Sequence, residues 1–252
     1  MKGRKDLVFG IHPVAEAVYS GKVIDKVLVK KGLAGAGLHG LIRTLRKSDV
    51  NIQYVPEEKL NRLTSGNHQG IVAFISEIEF YRLEEIVPLA YERGRSPLIT
   101  VLDGITDVRN FGAIARTAEC AGVDALLVPI KSSASVTPDA IRTSAGALYK
   151  IPVCRTGDMP ASLKFLRDSG LQLLCATEKA EASYFNTDLT VPCAFVLGAE
   201  DKGISPGIIK IADKLISIPM YGTIRSLNVS VAASLIMYEA VRQREFKSKS
   251  QK

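Results

Sequence analysis

The chain has 252 residues, 46% of them hydrophobic and 23% charged, with a formal net charge of +7. That balance excludes disorder throughout and fits one large domain, or one medium and one small, with a core that needs no metal or disulfide staples. The longest apolar runs, such as Ala125 to Ile130 and Cys193 to Leu197, are too short to span a bilayer.

The charge is unevenly divided. Residues 1–75 hold 12 Lys and Arg against 6 Asp and Glu, the tail 242–252 has a net of +4, and 76–241 about −3. A basic module joined to a neutral one suggests a polyanion-binding part attached to a part with another task. The alternative is a basic surface kept for solubility. The basic start Met1-Lys2-Gly3-Arg4-Lys5 runs into Asp6 and His12-Pro13 rather than an apolar stretch, so a secretory signal is not expected. Cys120, Cys154, Cys175 and Cys193 form no CxxC pair and sit in apolar settings, which predicts reduced thiols packed as small hydrophobes. With His12, His39 and His68 also scattered, no metal site is expected, and the cytoplasm is the default location.

In chain order, His12-Pro13 opens a helical pattern, Val23 to Val29 reads as a strand, Leu38 to Lys47 as a helix and Asn51 to Val55 as a strand. A turn cluster, Thr64-Ser65-Gly66-Asn67, precedes a strand from Ile71 to Ile75. These elements predict a small α/β domain over 1–76. Residues 77–96 mix charge, Pro88 and Gly94 with one short helical stretch and read as a linker. From 97 to 252 the pattern alternates regularly. Strands are predicted at Leu98–Leu102, Ala125–Ile130, Ile151–Cys154, Leu171–Ala176, Cys193–Leu197 and Leu215–Ile218. Helical patterns fall at 110–121, 138–148, 158–169, 205–212 and 228–244. Strands that are apolar throughout and alternate with helices predict a parallel sheet covered on both faces.

In such sheets ligands bind beyond the carboxyl ends of the strands, so the loops there carry the argument. After Leu98–Leu102 comes Asp103-Gly104-Ile105-Thr106-Asp107-Val108-Arg109, then Asn110-Phe111-Gly112-Ala113-Ile114-Ala115-Arg116-Thr117-Ala118. Asn110 is a candidate N-cap and Gly122 a candidate stop. The small residues Gly112, Ala113, Ala115 and Ala118 predict close packing around Arg116, which either pairs with Asp107 or Glu119, snorkels outward, or serves a site. After Cys193–Leu197, Gly198 and Gly203 bracket a charged turn, with Gly198 allowing a ligand close to the backbone and Glu200 directed into the crevice. After Leu215–Ile218 an exposed loop with Pro219 and Gly222 leads to Ser226 and Asn228, either of which can cap a final helix that is apolar on nearly every side. One face of that helix is expected to cover the sheet and another to meet a second subunit.

Gly35-Ala36-Gly37-Leu38-His39-Gly40 matches a dinucleotide-binding pattern. Lys30-Lys31 and further loop residues part it from the preceding strand, however, and no acid ends the next one, so that reading is set aside.

Taken together, three segments resemble the signature motifs of the SpoU (TrmH-type) ribose methyltransferases, in the family's order. They are Asn110 to Ala118, Leu197-Gly198-Ala199-Glu200-Asp201-Lys202-Gly203, and Ile218-Pro219-Met220 with Ser226-Leu227-Asn228-Val229-Ser230-Val231-Ala232. The likeness covers about residues 97–243. Gly10-Ile11-His12-Pro13 and His68-Gln69-Gly70-Ile71 resemble the RNA-binding domain of the ribosomal-RNA members, which has a ribosomal-protein-like fold. The resemblance implies a parallel-sheet domain with a C-terminal trefoil knot (the SPOUT class), S-adenosylmethionine as cofactor, RNA as substrate and a homodimer. Under it, Leu197, Gly198, Ile218, Met220 and Leu227 line the cofactor pocket, and Asn110, Arg116, Glu200, Ser226 and Asn228 form the reaction site. The family's view makes Arg116 the general base. A guanidinium is effectively always protonated, so the chemical reading is that Arg116 holds a phosphate and orients the hydroxyl, with Glu200 or water sharing the proton. The function implied is methylation of a guanosine 2′-hydroxyl in 23S rRNA. A tRNA guanosine 2′-O-methyltransferase and a non-catalytic RNA-binding protein are the rivals.

Overall fold

The computed structural model describes residues 7–250; the basic start Met1–Lys5 and Lys252 lie outside the described residues. The chain divides into two units between Glu79 and Phe80.

The first unit opens with a strand that periodicity does not announce, β1 (Leu7–Phe9), only three residues long. Gly10, at φ 92°, turns the chain into α1 (Ile11–Tyr19). Pro13 therefore lies in the first turn rather than at the first helical position, and no backbone bond is lost, since first-turn N–H groups have no partner within the helix. Strand β2 (Ile24–Lys30), helix α2 (Ala36–Lys47) and parallel strand β3 (Asn51–Val55) form a right-sized crossover. A single turn and a half, α3 (Glu57–Asn61), precedes β4 (Ile71–Ile75), which inserts antiparallel between β1 and β2. The sheet order is β1-β4-β2-β3. Val14, Leu41 and Leu45 of the two long helices pack on Val27, Val29 and Ile71. Leu60 of α3 meets Leu28 and Val72 on the opposite face.

The second unit begins earlier than the linker expectation for 77–96 allows. Helix α4 (Leu83–Glu92) buries Leu83, Ile86 and Val87 in the core of this unit, among Ile99, Val101, Leu163 and Leu166. Those apolar residues recur at helical spacing, and Pro88 did not prevent the helix. The segment from Phe80 onward is thus part of the folded unit.

The sheet of the second unit contains β5 (Leu98–Asp103), β6 (Ala125–Pro129), β7 (Val153–Thr156), β8 (Gln172–Ala176), β9 (Cys193–Gly198) and β10 (Lys214–Ile216). All pairings are parallel, in the order β10-β8-β9-β5-β6-β7. The helices are α5 (Val108–Cys120), α6 (Pro138–Thr143), α7 (Met159–Asp168), α8 (Pro206–Ile209) and α9 (Val229–Ser250). β7 starts two residues later than expected because Pro152 has no N–H to place in the ladder. The helical pattern 138–148 is broken after α6, where Ala145 (φ 50°) and Gly146 (φ 82°) turn the backbone left-handed. Along β9, Ala194 and Val196 face the α4–α7 side, leaving Phe195 buried on the other. Two covered faces explain why the central strands β5, β6, β8 and β9 are mostly apolar, whereas the edge strands β7 and β10 carry Arg155 and Lys214.

Three of the cysteines are buried as expected, but Cys120, in the last turn of α5, is exposed.

Candidate active site

From β5 the chain moves outward to β6 and β7; from β9 it moves the opposite way, to β10. The adjacent strands β5 and β9 thus flank the point where the winding reverses, which is where a crevice forms at the carboxyl ends of a parallel sheet. The loops that follow these two strands are the first two segments singled out from sequence. They are joined directly, since Asp103 at the end of β5 accepts the Ser205 N–H at 2.7 Å.

Asp107, not Asn110, caps α5; its Oδ1 accepts the Asn110 N–H at 2.8 Å. With the backbone of Asn110 occupied in the first helical turn, its side chain is free for tertiary contacts. Asn110 Nδ2 donates to Glu200 Oε1 at 3.2 Å. Asn228 Nδ2 donates to the same oxygen at 2.8 Å and to Asn110 Oδ1 at 3.0 Å. The Val229 N–H, at the start of α9, also donates to Glu200 Oε1, at 3.3 Å. Asn110, Glu200 and Asn228, ninety and twenty-eight residues apart in sequence, close one hydrogen-bonded triangle. Ser230 fixes the amide of Asn228, because its N–H and hydroxyl both donate to Oδ1, at 2.9 and 2.5 Å. That leaves Nδ2 as the end presented to Glu200.

Close packing holds the triangle in register. A side chain at Gly112 would collide with Thr143 and the backbone of α6, so only glycine lets α5 and α6 meet there. Thr117 and Ser234 share a hydrogen bond of 3.1 Å between α5 and α9. The crowding that the small residues predicted is therefore real. The close approach at Gly198 is of another kind than expected: a β-carbon there would strike the backbone of Gly203 and Ile204. Glycine at 198 closes the loop on itself, with the Gly203 N–H donating to Ala199 at 2.7 Å, and this turn carries Glu200.

Arg116 and Ser226 are not drawn into the triangle. Six residues separate Arg116 from Asn110, which turns it about 120° around α5. Its side chain is exposed and, among the described residues, makes no ion pair; Asp107 is the helix cap, and Glu119 pairs with Lys150 at 3.6 Å. Ser226 is exposed in the loop ahead of α9, with no hydrogen bond among the described residues.

Of the residues expected around a cofactor, Ile218, Met220 and Leu227 line one apolar cleft of about 370 Å³, together with Tyr184, Phe185 and Tyr221. Leu197 is buried at the end of β9. Tyr184 and Phe185 carried no sequence signal, because they belong to a loop without periodicity or motif. They reach the cleft because that loop pairs with the chain after β10: the Ser217 N–H donates to Ala182 at 2.8 Å and the Tyr184 N–H to Ser217 at 2.9 Å. Asp103 carried no sequence signal either, and Asp107 reads from sequence only as a candidate partner of Arg116; both hold the loops of the crevice, Asp103 through the Ser205 N–H and Asp107 as the cap of α5.

Residues 97–238 match the sequence profile described as the SpoU rRNA Methylase family, and residues 7–81 the profile described as RNA 2′-O ribose methyltransferase substrate binding. YacO of Bacillus subtilis, named for the TrmH family of tRNA/rRNA methyltransferases, is 32% identical over 97% of this chain and 98% of its own. A protein of Staphylococcus saprophyticus with the same family name is 32% identical over 95% and 96%. Among solved structures, the SpoU methyltransferase AviRb from Streptomyces viridochromogenes, in complex with the cofactor AdoMet, superposes with a TM-score of 0.61 at 29% identity, covering 95% of this chain and 90% of that one. The TrmH/SpoU tRNA modifying enzyme of A. aeolicus superposes at 0.57 with 33% identity over 66% and 86%.

Proposed function

The chain belongs to the SpoU family of RNA methyltransferases, and from that premise we propose that it methylates a ribose 2′-hydroxyl of structured RNA, a guanosine of 23S rRNA, with S-adenosylmethionine as donor. The observation that carries this reading is the triangle of Asn110, Glu200 and Asn228, which ties three strand-end loops together at the reversal point of the sheet.

The residues present fit the cofactor. The cleft lined by Ile218, Met220 and Leu227 has aromatic and aliphatic walls suited to sandwich an adenine, and Leu197 and Gly198 offer backbone groups at the end of β9. When bound, S-adenosylmethionine supplies a methyl group on a sulfonium sulfur, already a good electrophile. The protein's part is to place the ribose hydroxyl and receive its proton. Glu200 Oε1 is committed to three N–H donors, whereas Oε2 has none among the described residues and remains to accept a proton directly or through water. Arg116, exposed and always cationic, holds a phosphate of the target strand and orients the hydroxyl. Ser226, beside the cleft-lining Leu227, completes the polar rim.

A trefoil knot is part of this reading. The loop following β8 is stitched to both sides of the C-terminal passage: it pairs with Ser217 after β10, and its Thr187 and Leu189 bond Gln243 of α9 at 3.0 and 2.8 Å. A homodimer is part of it too, supported by exposed apolar side chains along α9 and in the loop ahead of it. The first unit, with its excess of basic residues and its substrate-binding profile, is read as an RNA-binding domain of ribosomal-protein-like fold. The ribosomal-RNA reading is preferred to the tRNA one because the A. aeolicus tRNA enzyme covers only 66% of this chain, while the relatives that cover nearly all of it are named for both RNAs.

Mapping 2′-O-methyl groups in RNA from cells with and without this chain tests the proposal. Loss of one methylguanosine from 23S rRNA is the expected result. Loss from a tRNA would move the assignment to that substrate, and no loss together with no S-adenosylmethionine binding in calorimetry would leave a binding-only protein.

A further inference from the structure

A groove of about 510 Å³ lies on the first unit between α2 and β3, the edge strand of its sheet. Its floor is apolar, made by Leu33, Leu38 and Ile42. Along α2, His39, Arg43, Arg46 and Lys47 follow at intervals of four, three and one, which puts them on one helix face, while Leu41 and Leu45 are buried opposite. Tyr54 of β3 lines the same groove with 48% of its surface exposed. No acidic residue lines it. Among the described residues Arg43, Arg46 and Lys47 have no ion-pair partner, although Lys30 of the neighbouring strand is paired with Glu57.

Arg46 and Lys47 lie in the last turn of α2, where cations suit the helix dipole. That accounts for neither His39 and Arg43 in the turns before nor an aromatic ring left half-exposed beside a basic face. An apolar slot with a flat ring on one wall and cations on the rim matches a nucleotide, whose base stacks while its phosphates are neutralised. In an A-form duplex bases are stacked inside and unavailable, so the matching ligand is a nucleotide free of pairing, in a bulge or loop.

We propose that this groove receives an unpaired nucleotide of the RNA substrate, with its base on Tyr54 and the apolar floor and the flanking phosphates on Arg43, Arg46 and Lys47. The proposal rests on the methyltransferase reading for the identity of the ligand and goes beyond it by naming the contact surface and its RNA feature. It also adds a base-stacking element to a domain whose composition suggests backbone contacts alone.

The test is fluorescence anisotropy with the full-length chain and two labelled RNA hairpins, one fully paired and one identical except for a single bulged nucleotide. The bulged hairpin binds more tightly. Tyr54→Ala removes that preference, lowering affinity for the bulged hairpin roughly tenfold and leaving the paired one unchanged, and Tyr54→Phe restores it. Arg43→Ala with Arg46→Ala weakens both hairpins and lowers the slope of log affinity against log salt by between about one and two. Equal affinity of the unaltered chain for both hairpins overturns the proposal. So does an unchanged preference in Tyr54→Ala, or an unchanged salt slope in the arginine variant. Calorimetry separates the two layers: an unaltered chain that fails to bind S-adenosylmethionine counts against the methyltransferase reading, while the hairpin comparison still decides the groove.

Discussion

Asn228 donates its Nδ2 to Oε1 of Glu200 at 2.8 Å, binding the start of α9 to the loop that follows β9. Asn110 and the Val229 N–H converge on the same oxygen. One carboxylate oxygen thus fixes the ends of three segments, and its partner oxygen is the part left for chemistry.

That division makes Glu200 separable into two roles by substitution. Glu200→Gln keeps an acceptor oxygen for the three donors but cannot take a proton. It should retain the thermal stability of the unaltered chain and its affinity for S-adenosylmethionine, while single-turnover methyl transfer slows about a hundredfold, the lower end for loss of a general base. Glu200→Ala strands the donors as well and should cost about 1 kcal/mol of stability, modest because the cluster is open to water. Unchanged turnover in Glu200→Gln would confine the residue to tying loops.

Arg116 poses a different question, because both roles discussed for it predict near-loss of activity in Arg116→Ala. Arg116→Lys distinguishes them. As an orienting cation, lysine retains the charge but not the two-pronged fit to a phosphate, so the rate should fall with the pH profile unmoved. A new, lower apparent pKa in the rate profile would identify position 116 as the base.

Gly198 and Gly203 face each other across the turn that presents Glu200, and they should respond to alanine for different reasons. At Gly198 the added carbon meets backbone atoms of Gly203 and Ile204, which have no rotamer to give way. The expected cost is about 3 kcal/mol, the upper end of the overpacking range, with loss of activity through displacement of Glu200. At Gly203 nothing lies near, but φ is 66°, so alanine there carries only left-handed strain of about 1–2 kcal/mol. Denaturant unfolding of the two variants checks the order.

The strands of the sheet and most helices were legible in the sequence because a parallel sheet needs uninterrupted apolar runs and its crossovers need helical spacing. Asn110, Glu200 and Asn228 were legible as one site only through the motif resemblance, which grouped them with Arg116 and Ser226; by themselves Asn110 and Asn228 read as helix caps. What was not legible depends on contacts remote in sequence. The three-residue β1 exists because β4 offers it an edge. Helix α4, inside a segment read as a linker, is held by Val87 and Ile86 against a sheet that periodicity does not place. Asp107 displaced Asn110 as the cap because two good capping residues stood three apart and only tertiary demand on the Asn110 side chain chooses between them.

Burial pushes the Cys154 and Cys175 thiols up to about 12 and Cys193 to about 11, against 9.0 when unburied. The folded state therefore keeps protons that the unfolded chain releases. The stabilisation is complete below pH 9 and is lost as pH rises from 9 toward 11–12. Under reducing conditions the urea midpoint should fall between pH 8.5 and 10.5, and less so in Cys154→Ala with Cys175→Ala, once normalised to each protein's value at pH 8.5. A thiol reagent at pH 8 should label one cysteine in the native chain, the exposed Cys120, and four after unfolding.

The outer face of α9 carries the remaining prediction. Ile236, Met237 and Ala240 are buried on the inner side, and Val231, Leu235 and Tyr238 are 47%, 38% and 50% exposed on the other. The loop before the helix adds Tyr221 and Ile224, at 95% and 74%. Single exposed apolar residues are ordinary, but the helix and the loop meet where Leu235 and Tyr221 line the apolar cleft, and the exposed face that continues from it matches an interface with a second copy. Such a surface tolerates no buried, unpaired carboxylate, whose desolvation costs several kcal/mol, and by two-fold symmetry a substitution enters the interface twice. Val231→Glu, on the exposed side and outside the apolar cleft, should therefore leave the fold intact, as read by circular dichroism. It should weaken dimerisation at least a hundredfold in sedimentation equilibrium and lower methyl transfer in step with the dimer fraction. An unaltered chain that sediments as a monomer at every concentration tested would remove the second subunit from the site.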